Sequence, residues 1–137
     1  MNIKKLENIF EYYAKKYRLK TDIDIDIQGQ ACYYTGITYP LGEKSGDYIF
    51  IGGQYIKRLK HEIKVRSGKN NLQEFYIFTL LHEISHAIDY TYNQELIKSE
   101  CKNLNHGKYF DDRKYHNEQP YEIRADNFAR KELTKWC

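Results

Sequence analysis

The chain has 137 residues, with 22 Lys and Arg against 19 Asp and Glu and a formal net charge of +3. That length suits one domain burying roughly two-thirds of its unfolded surface, so a single domain over residues 1–137 is expected; the small, mixed charge does not mark a nucleic-acid partner. No stretch reaches the roughly 18 apolar residues of a membrane span and no basic-then-apolar leader opens the chain, so a cytoplasmic protein without a membrane partner is expected.

In chain order, Ile3, Leu6, Phe10, Tyr13 and Tyr17 recur at gaps of three and four, which predicts an amphipathic helix to about Arg18. Thr21 to Ile27 alternates strictly, three isoleucines on one face and three aspartates on the other, the pattern of a half-buried strand. Asp22, Asp24 and Asp26 match the first ligand positions of a calcium loop. Ile27 then stands where that loop needs glycine and Tyr33 where it needs glutamate, so a solvated strand face is the better reading. Residues 31–39 are rich in β-formers and stop at Pro40; Leu41 to Gly46 reads as a turn, and Asp47 to Ile51 as a third strand closed by Gly52 and Gly53. Short segments with brief turns predict mostly antiparallel pairing.

Gln54 to Val65 is expected as a helix carrying Tyr55, Ile56, Leu59 and Ile63, with His61 and the Lys-rich stretch 57–69 as its solvated face. Asn71 is a candidate N-cap, with Glu74 three residues on in a capping-box-like pattern. The helix it opens, Leu72 to about Tyr92, is apolar around most of its circumference and is therefore expected at the centre of the fold. Gln94 to Leu104 continues as helix, Asn105 to Asn117 reads as a polar loop, and Pro120 opens a closing helix over Tyr121 to Trp136. Cys32, Cys101 and Cys137 are too few and too widely spaced for a disulfide framework or a Cys-x-x-Cys site, and reduced thiols are expected. The 14 tyrosines suit a small core and a binding groove equally.

The chemistry concentrates in His82-Glu83-Ile84-Ser85-His86. Helix positions four apart share a face, so the two imidazoles converge as two of zinc's tetrahedral ligands. Glu83, about 100° round the helix, can reach a water without competing for the metal, where a general base belongs. On the closing helix Glu122, Asp126, Ala129, Leu133 and Trp136 form one inward stripe. Two carboxylates on a buried face need partners: zinc would satisfy Glu122, and Asp126 could accept the free ring N–H of a liganding histidine. Core histidines are the plainer reading of His82 and His86 taken singly, but two at ligand spacing with a carboxylate helix downstream favour one Zn2+.

His82-Glu83-x-x-His86 with Glu122-x-x-x-Asp126 resembles the gluzincin pattern, and Glu122-x-x-Ala125-Asp126-x-Phe128-Ala129 resembles the second motif of ImmA/IrrE-type metallopeptidases, small zinc proteins of bacteria and mobile elements such as phages. The resemblance covers about Leu72 to Leu133. It implies a small α+β zincin-like fold: an N-terminal helix, a short, mostly antiparallel sheet of about three strands, a central helix with the histidine motif, and a C-terminal helix carrying the third ligand. It implies zinc on His82, His86 and Glu122, Glu83 as base, and a protein or peptide substrate, a transcriptional repressor among the partners.

A metzincin needs glycine and histidine where this chain has Asp89 and Tyr92, and Cys32 lacks the flanks of a deformylase ligand. His106 or His116 could replace Glu122 as ligand. His116, Tyr115 or Tyr121 could instead donate to an oxyanion, with plain loop solvation as the alternative for each. The strand carrying Tyr48, Ile49 and Phe50 is the candidate sheet edge for holding an extended substrate. The competing function is a catalytically silent binding or regulatory protein with a structural zinc, against which the presence of Glu83 counts, since a structural site needs a fourth protein ligand and no base.

Overall fold

A computed structural model describes residues 2–26, 32–38 and 45–137. Helix α1 (Ile3–Tyr17) starts where the Asn2 side chain accepts the Lys5 N–H at 3.0 Å and stops at Arg18, which turns left-handed at φ 53°. It buries Leu6, Phe10 and Tyr13 of the stripe the spacing predicts, and Ile9 beside them, while Ile3 is exposed and Tyr17 half-buried. Strands β1 (Thr21–Asp26), β2 (Cys32–Thr38) and β3 (Ser45–Gly52) follow. In β1 the alternation is realised: Asp22 and Asp24 are exposed, while Ile23 and Ile25 pack against the core. Pro40 and most of the expected turn, Leu41 to Lys44, lie outside the described residues; its last two residues, Ser45 and Gly46, already belong to β3.

Helices fill the remainder: α2 (Gly53–Arg58), α3 (Lys60–Ser67), α4 (Leu72–Tyr92), α5 (Gln94–Cys101), α6 (His106–Asp111), α7 (Arg113–Glu118) and α8 (Pro120–Leu133). The expected α+β zincin-like class is therefore corrected. The described chain is mainly helical, eight helices around a very small sheet. The expected antiparallel pairing is corrected too. The strand order is β1-β3-β2, and β1 runs parallel to β3 from Thr21↔Asp47 to Asp26↔Gly52. Parallel neighbours need a crossover between them, and the stretch containing β2, which pairs antiparallel on the far side of β3, supplies it. Turn residues alone cannot distinguish that crossover from two successive hairpins.

This order also removes the candidate substrate edge. Tyr48, Ile49 and Phe50 lie on the middle strand, where Ile49 faces Ile23 on one side and Tyr33 on the other. A strand paired on both sides has no free row of N–H and C=O groups to offer a peptide; the edges belong to β1 and β2.

Two helical expectations also change. The helix expected over Gln54 to Val65 is broken at Leu59 (φ −99°, ψ 16°) into α2 and α3. The expected loop Asn105 to Asn117 is two six-residue helices, each started by a side-chain cap: Asn105 accepts from the Lys108 N–H, and Asp112 from those of Lys114 and Tyr115. Segments this short carry no apolar period to read.

Helix α4 is central. Asn71 caps it, accepting the Glu74 N–H at 2.9 Å, and Phe78, Leu80, Leu81, Ile84 and Ala87 are fully buried along it. Helix α8 packs along α4, with Ala125, Ala129 and Leu133 fully buried. No helix among the described residues is long and apolar enough to cross a membrane.

Candidate metal centre

One turn of α4 presents His82 and His86, and the first turn of α8, opened by Pro120, presents Glu122 against them. His82 Nε2 lies 3.1 Å from His86 Nε2 and 3.2 Å from Glu122 Oε2, and His86 Nε2 lies 2.7 Å from Glu122 Oε1. Tetrahedral zinc with bonds of about 2.0–2.1 Å separates its ligand atoms by about 3.3 Å, so the three donors already stand near the spacing such an ion requires. They are the only group of three His, Cys, Asp or Glu side chains so placed among the described residues.

The setting is buried: His82 is 4% exposed, Glu122 2%, and Glu83 and Asp126 7% each, while the His86 side chain is 15% exposed. His82 Nδ1 sits 2.7 Å from Asp126 Oδ1. A carboxylate oxygen that close must accept, so Nδ1 carries the proton of the neutral ring and Nε2 is the atom that a metal or a second proton can occupy. Asp126 in turn accepts a two-pronged contact from Arg66, Nε to Oδ2 at 2.9 Å and Nη2 to Oδ1 at 2.8 Å.

Burial alone would strip charge from each of these groups; their neighbours decide otherwise. Burial opposes charge on His82, but Glu122, Asp126 and Glu83 outweigh it and raise the imidazole to about 9. Burial would raise Glu122, yet His86 and His82 hold it well below the usual carboxylate range. Asp126 is lowered in the same way, by His82 and Arg66 against its burial. Glu83 is the exception: burial, reinforced by Glu122, raises its carboxyl against the pull of His82 and His86. Three buried carboxylates thus share the single guanidinium of Arg66 with two imidazoles. The donor set fits a divalent cation, whose charge would balance it.

Two participants escape sequence reasoning. Arg66 lies in the Lys-rich stretch read as a solvated face, yet its side chain is 15% exposed and reaches the site's floor. Tyr109, inside the expected loop, donates its hydroxyl to Glu122 Oε1 at 3.2 Å, and its ring lies 4.4 Å from that of His116. The cap residues Asn105 and Asp112, seven apart, were the one signal that this segment is ordered.

Among the alternatives, His116 Nε2 stands 3.6 Å from Glu122 Oε2, beside the site but outside the ligand cluster, and burial lowers its pKa. His106 is exposed at the start of α6 and is not one of the convergent donors. The Tyr115 hydroxyl accepts the Asn105 N–H at 3.1 Å, a tether rather than a site contact. Tyr121 turns an edge to the His86 ring at 6.0 Å between centroids. Arg124, a conceivable partner for Glu122, is committed to Asp89 and Glu100 instead, and Arg130 reaches Asn127 and the Arg66 carbonyl. No family model, curated protein or solved structure matches this chain.

Proposed function

We propose that the chain is a zinc metalloendopeptidase that hydrolyses peptide bonds of a protein substrate, of the type its two motifs resemble. The observation that carries this reading is the triangle of His82 Nε2, His86 Nε2 and the Glu122 carboxylate, with sides of 2.7–3.2 Å, in a largely buried setting beside Glu83. His82, His86 and Glu122 would hold the ion. Zinc with an open position, when bound, acts as a Lewis acid that lowers the pKa of water to about 7 and polarises a carbonyl.

The protein's own share is proton handling and placement. Glu83 Oε1 lies 4.0 Å from His82 Nε2, close enough to address a water at the site, and Glu83 is not one of the three convergent donors. In the metal-free site burial raises its carboxyl, the direction a general base needs. It takes the proton from the attacking water and passes it to the departing amine, so the carboxylate is regenerated each turnover. His116, beside Glu122, is the donor assigned to the carbonyl oxygen as charge builds there; its Nδ1 faces the Asn117 amide oxygen at 2.9 Å, so Nε2 donates only from the protonated ring. Asp126 keeps the His82 tautomer. The resemblance makes a transcriptional repressor the first protein to test as substrate, in a cytoplasmic setting.

The test is metal analysis of wild type and Glu83→Gln, each assayed for cleavage of proteins from its own source. One zinc in both with cleavage by wild type alone is expected. Wild type without zinc, or equal cleavage by both, would overturn the reading. Chelation is expected to leave the fold largely intact and the protein inert; unfolding on chelation would mark a structural ion instead.

A further inference from the structure

We infer that Arg66 is a positioning residue of this centre, fixing Asp126 so that His82 is held in the tautomer a metal needs; the inference rests on the metal reading above. Arg66 comes from α3, outside both motifs. Its guanidinium spans the Asp126 carboxylate with two near-parallel contacts at 2.9 and 2.8 Å, and the same Nη2 stands 3.2 Å from His82 Nδ1. That last contact poses a choice. If Nδ1 accepted from Arg66, its lone pair would point where Asp126 Oδ1 lies at 2.7 Å, two acceptors in contact. The imidazole therefore donates to Asp126, and Arg66 acts on His82 only through that carboxylate.

A planar fork suits this task where a point charge would not. It fixes the rotation of the carboxylate as well as its position, and so aims Oδ1 along the ring N–H. The guanidinium is itself held from behind: it lies over the Phe78 ring at 5.4 Å, and Glu62 approaches Nη1 at 3.6 Å. Glu62 also accepts from Arg113 at 2.9 Å, and Asn117 donates to it, so the same chain of contacts ties α3 to α7, which carries His116. Asp126 thus faces Arg66 and His82, both of them placed by other elements.

The measurement is zinc affinity by competition with a chromophoric chelator, on wild type, Arg66→Lys, Arg66→Met, Asp126→Ala and the Arg66→Met/Asp126→Ala double variant, each confirmed folded by circular dichroism. Loss of an outer contact to a liganding histidine weakens metal binding roughly 10–100-fold. Asp126→Ala is expected within that range and Arg66→Met near its lower end. Arg66→Lys should fail to restore wild-type affinity. In the Asp126→Ala background, Arg66→Met should weaken zinc binding no further, because the residue has lost the group it works through. Wild-type affinity in both Arg66→Met and Arg66→Lys, or effects that multiply in the double variant, would overturn the inference while leaving the metal reading standing. If Arg66→Met does not fold, Arg66→Lys decides alone. Absence of zinc binding by wild type would overturn the metal reading itself and this inference with it.

Discussion

Helix α8 carries two buried glutamates whose surroundings differ in kind. Glu132, 4% exposed, accepts from the Tyr13 hydroxyl at 3.0 Å and from Lys135 Nζ at 3.0 Å, and the Trp136 indole N–H in turn donates to the Tyr13 oxygen at 3.0 Å. Phenol and ammonium are protonated throughout the neutral range, so that end of the helix is satisfied by the protein itself. Glu122, 2% exposed, faces three imidazoles, those of His82, His86 and, at 3.6 Å, His116, and one phenol. One of those imidazoles has already committed its Nδ1 proton to Asp126. Its balance depends on an additional proton at Nε2 or on a cation from outside. Burial of a carboxylate is common to both ends; what differs is the kind of positive charge that meets it, fixed at the Glu132 end and, at the Glu122 end, a His82 proton that a metal ion can replace.

The sharpest way to break this contrast is to remove each end's distinctive group. Glu122→Gln should abolish cleavage and weaken zinc binding by more than the 10–100-fold of an outer contact, because a ligand is lost, while the chain stays folded. Metal analysis and cleavage assays on the folded variant check this; retained zinc at wild-type affinity would count against the assignment of Glu122. Glu83→Gln comes next in size. Loss of a general base costs roughly 10²–10⁴-fold in rate, with zinc content unchanged, a combination separable by assaying both on one preparation.

The contrast was only half legible in the sequence. The histidine pair, Glu83, Glu122 and Asp126 were readable because helical spacing is local: residues four apart share a face whatever the fold around them. The cap at Asn71 and the stripe of α1 were readable for the same reason. What depends on distant partners was not. Arg66 looked like one more cation on a charged helix, because its role exists only once α3 meets α8. Tyr109 sat in a segment without apolar period, made helical by the caps of Asn105 and Asp112 and by contacts to Glu122 and Glu62 from α6 and α7. The sheet order failed likewise: alternation fixes which faces of β1 are buried, but not that β3 lies between β1 and β2.

A smaller effect tests the self-sufficient end. Tyr13→Phe removes the hydroxyl that links Glu132 to Trp136, leaving Glu132 with Lys135 alone and the half-buried Trp136 N–H without its acceptor, and should cost about 1–3 kcal/mol of stability. Zinc affinity should not change, since nothing at that end depends on the ion. Denaturant melts beside a zinc titration distinguish the two. A loss of metal binding equal to that in Glu122→Gln would mean the ends are coupled, and the contrast drawn here would fail.

The mildest effect is a pH dependence confined to the metal-free protein. His82 is raised from 6.5 to about 9 in the folded chain, against its burial, by Glu122, Asp126 and Glu83. A raised cationic group stabilises the fold fully below its unfolded value, and that contribution fades as pH rises through the folded one. Metal-free protein should therefore lose melting temperature between pH 6.5 and about 9. The lowered carboxylates, Glu122 and Asp126 here and Glu132 at the far end, run the other way: their contribution is present above the unfolded carboxylate values and is lost only as pH falls toward their depressed folded ones. No group at the Glu132 end accounts for an alkaline loss over this window. With zinc on Nε2 the ion replaces the His82 proton, so zinc-loaded protein should hold its melting temperature across the same range. Glu122→Gln, lacking one of the charges that raise His82, should show a shallower decline. An equal alkaline decline in metal-free wild type, zinc-loaded wild type and Glu122→Gln would locate the effect elsewhere and remove His82 as the group that exchanges a proton for a metal.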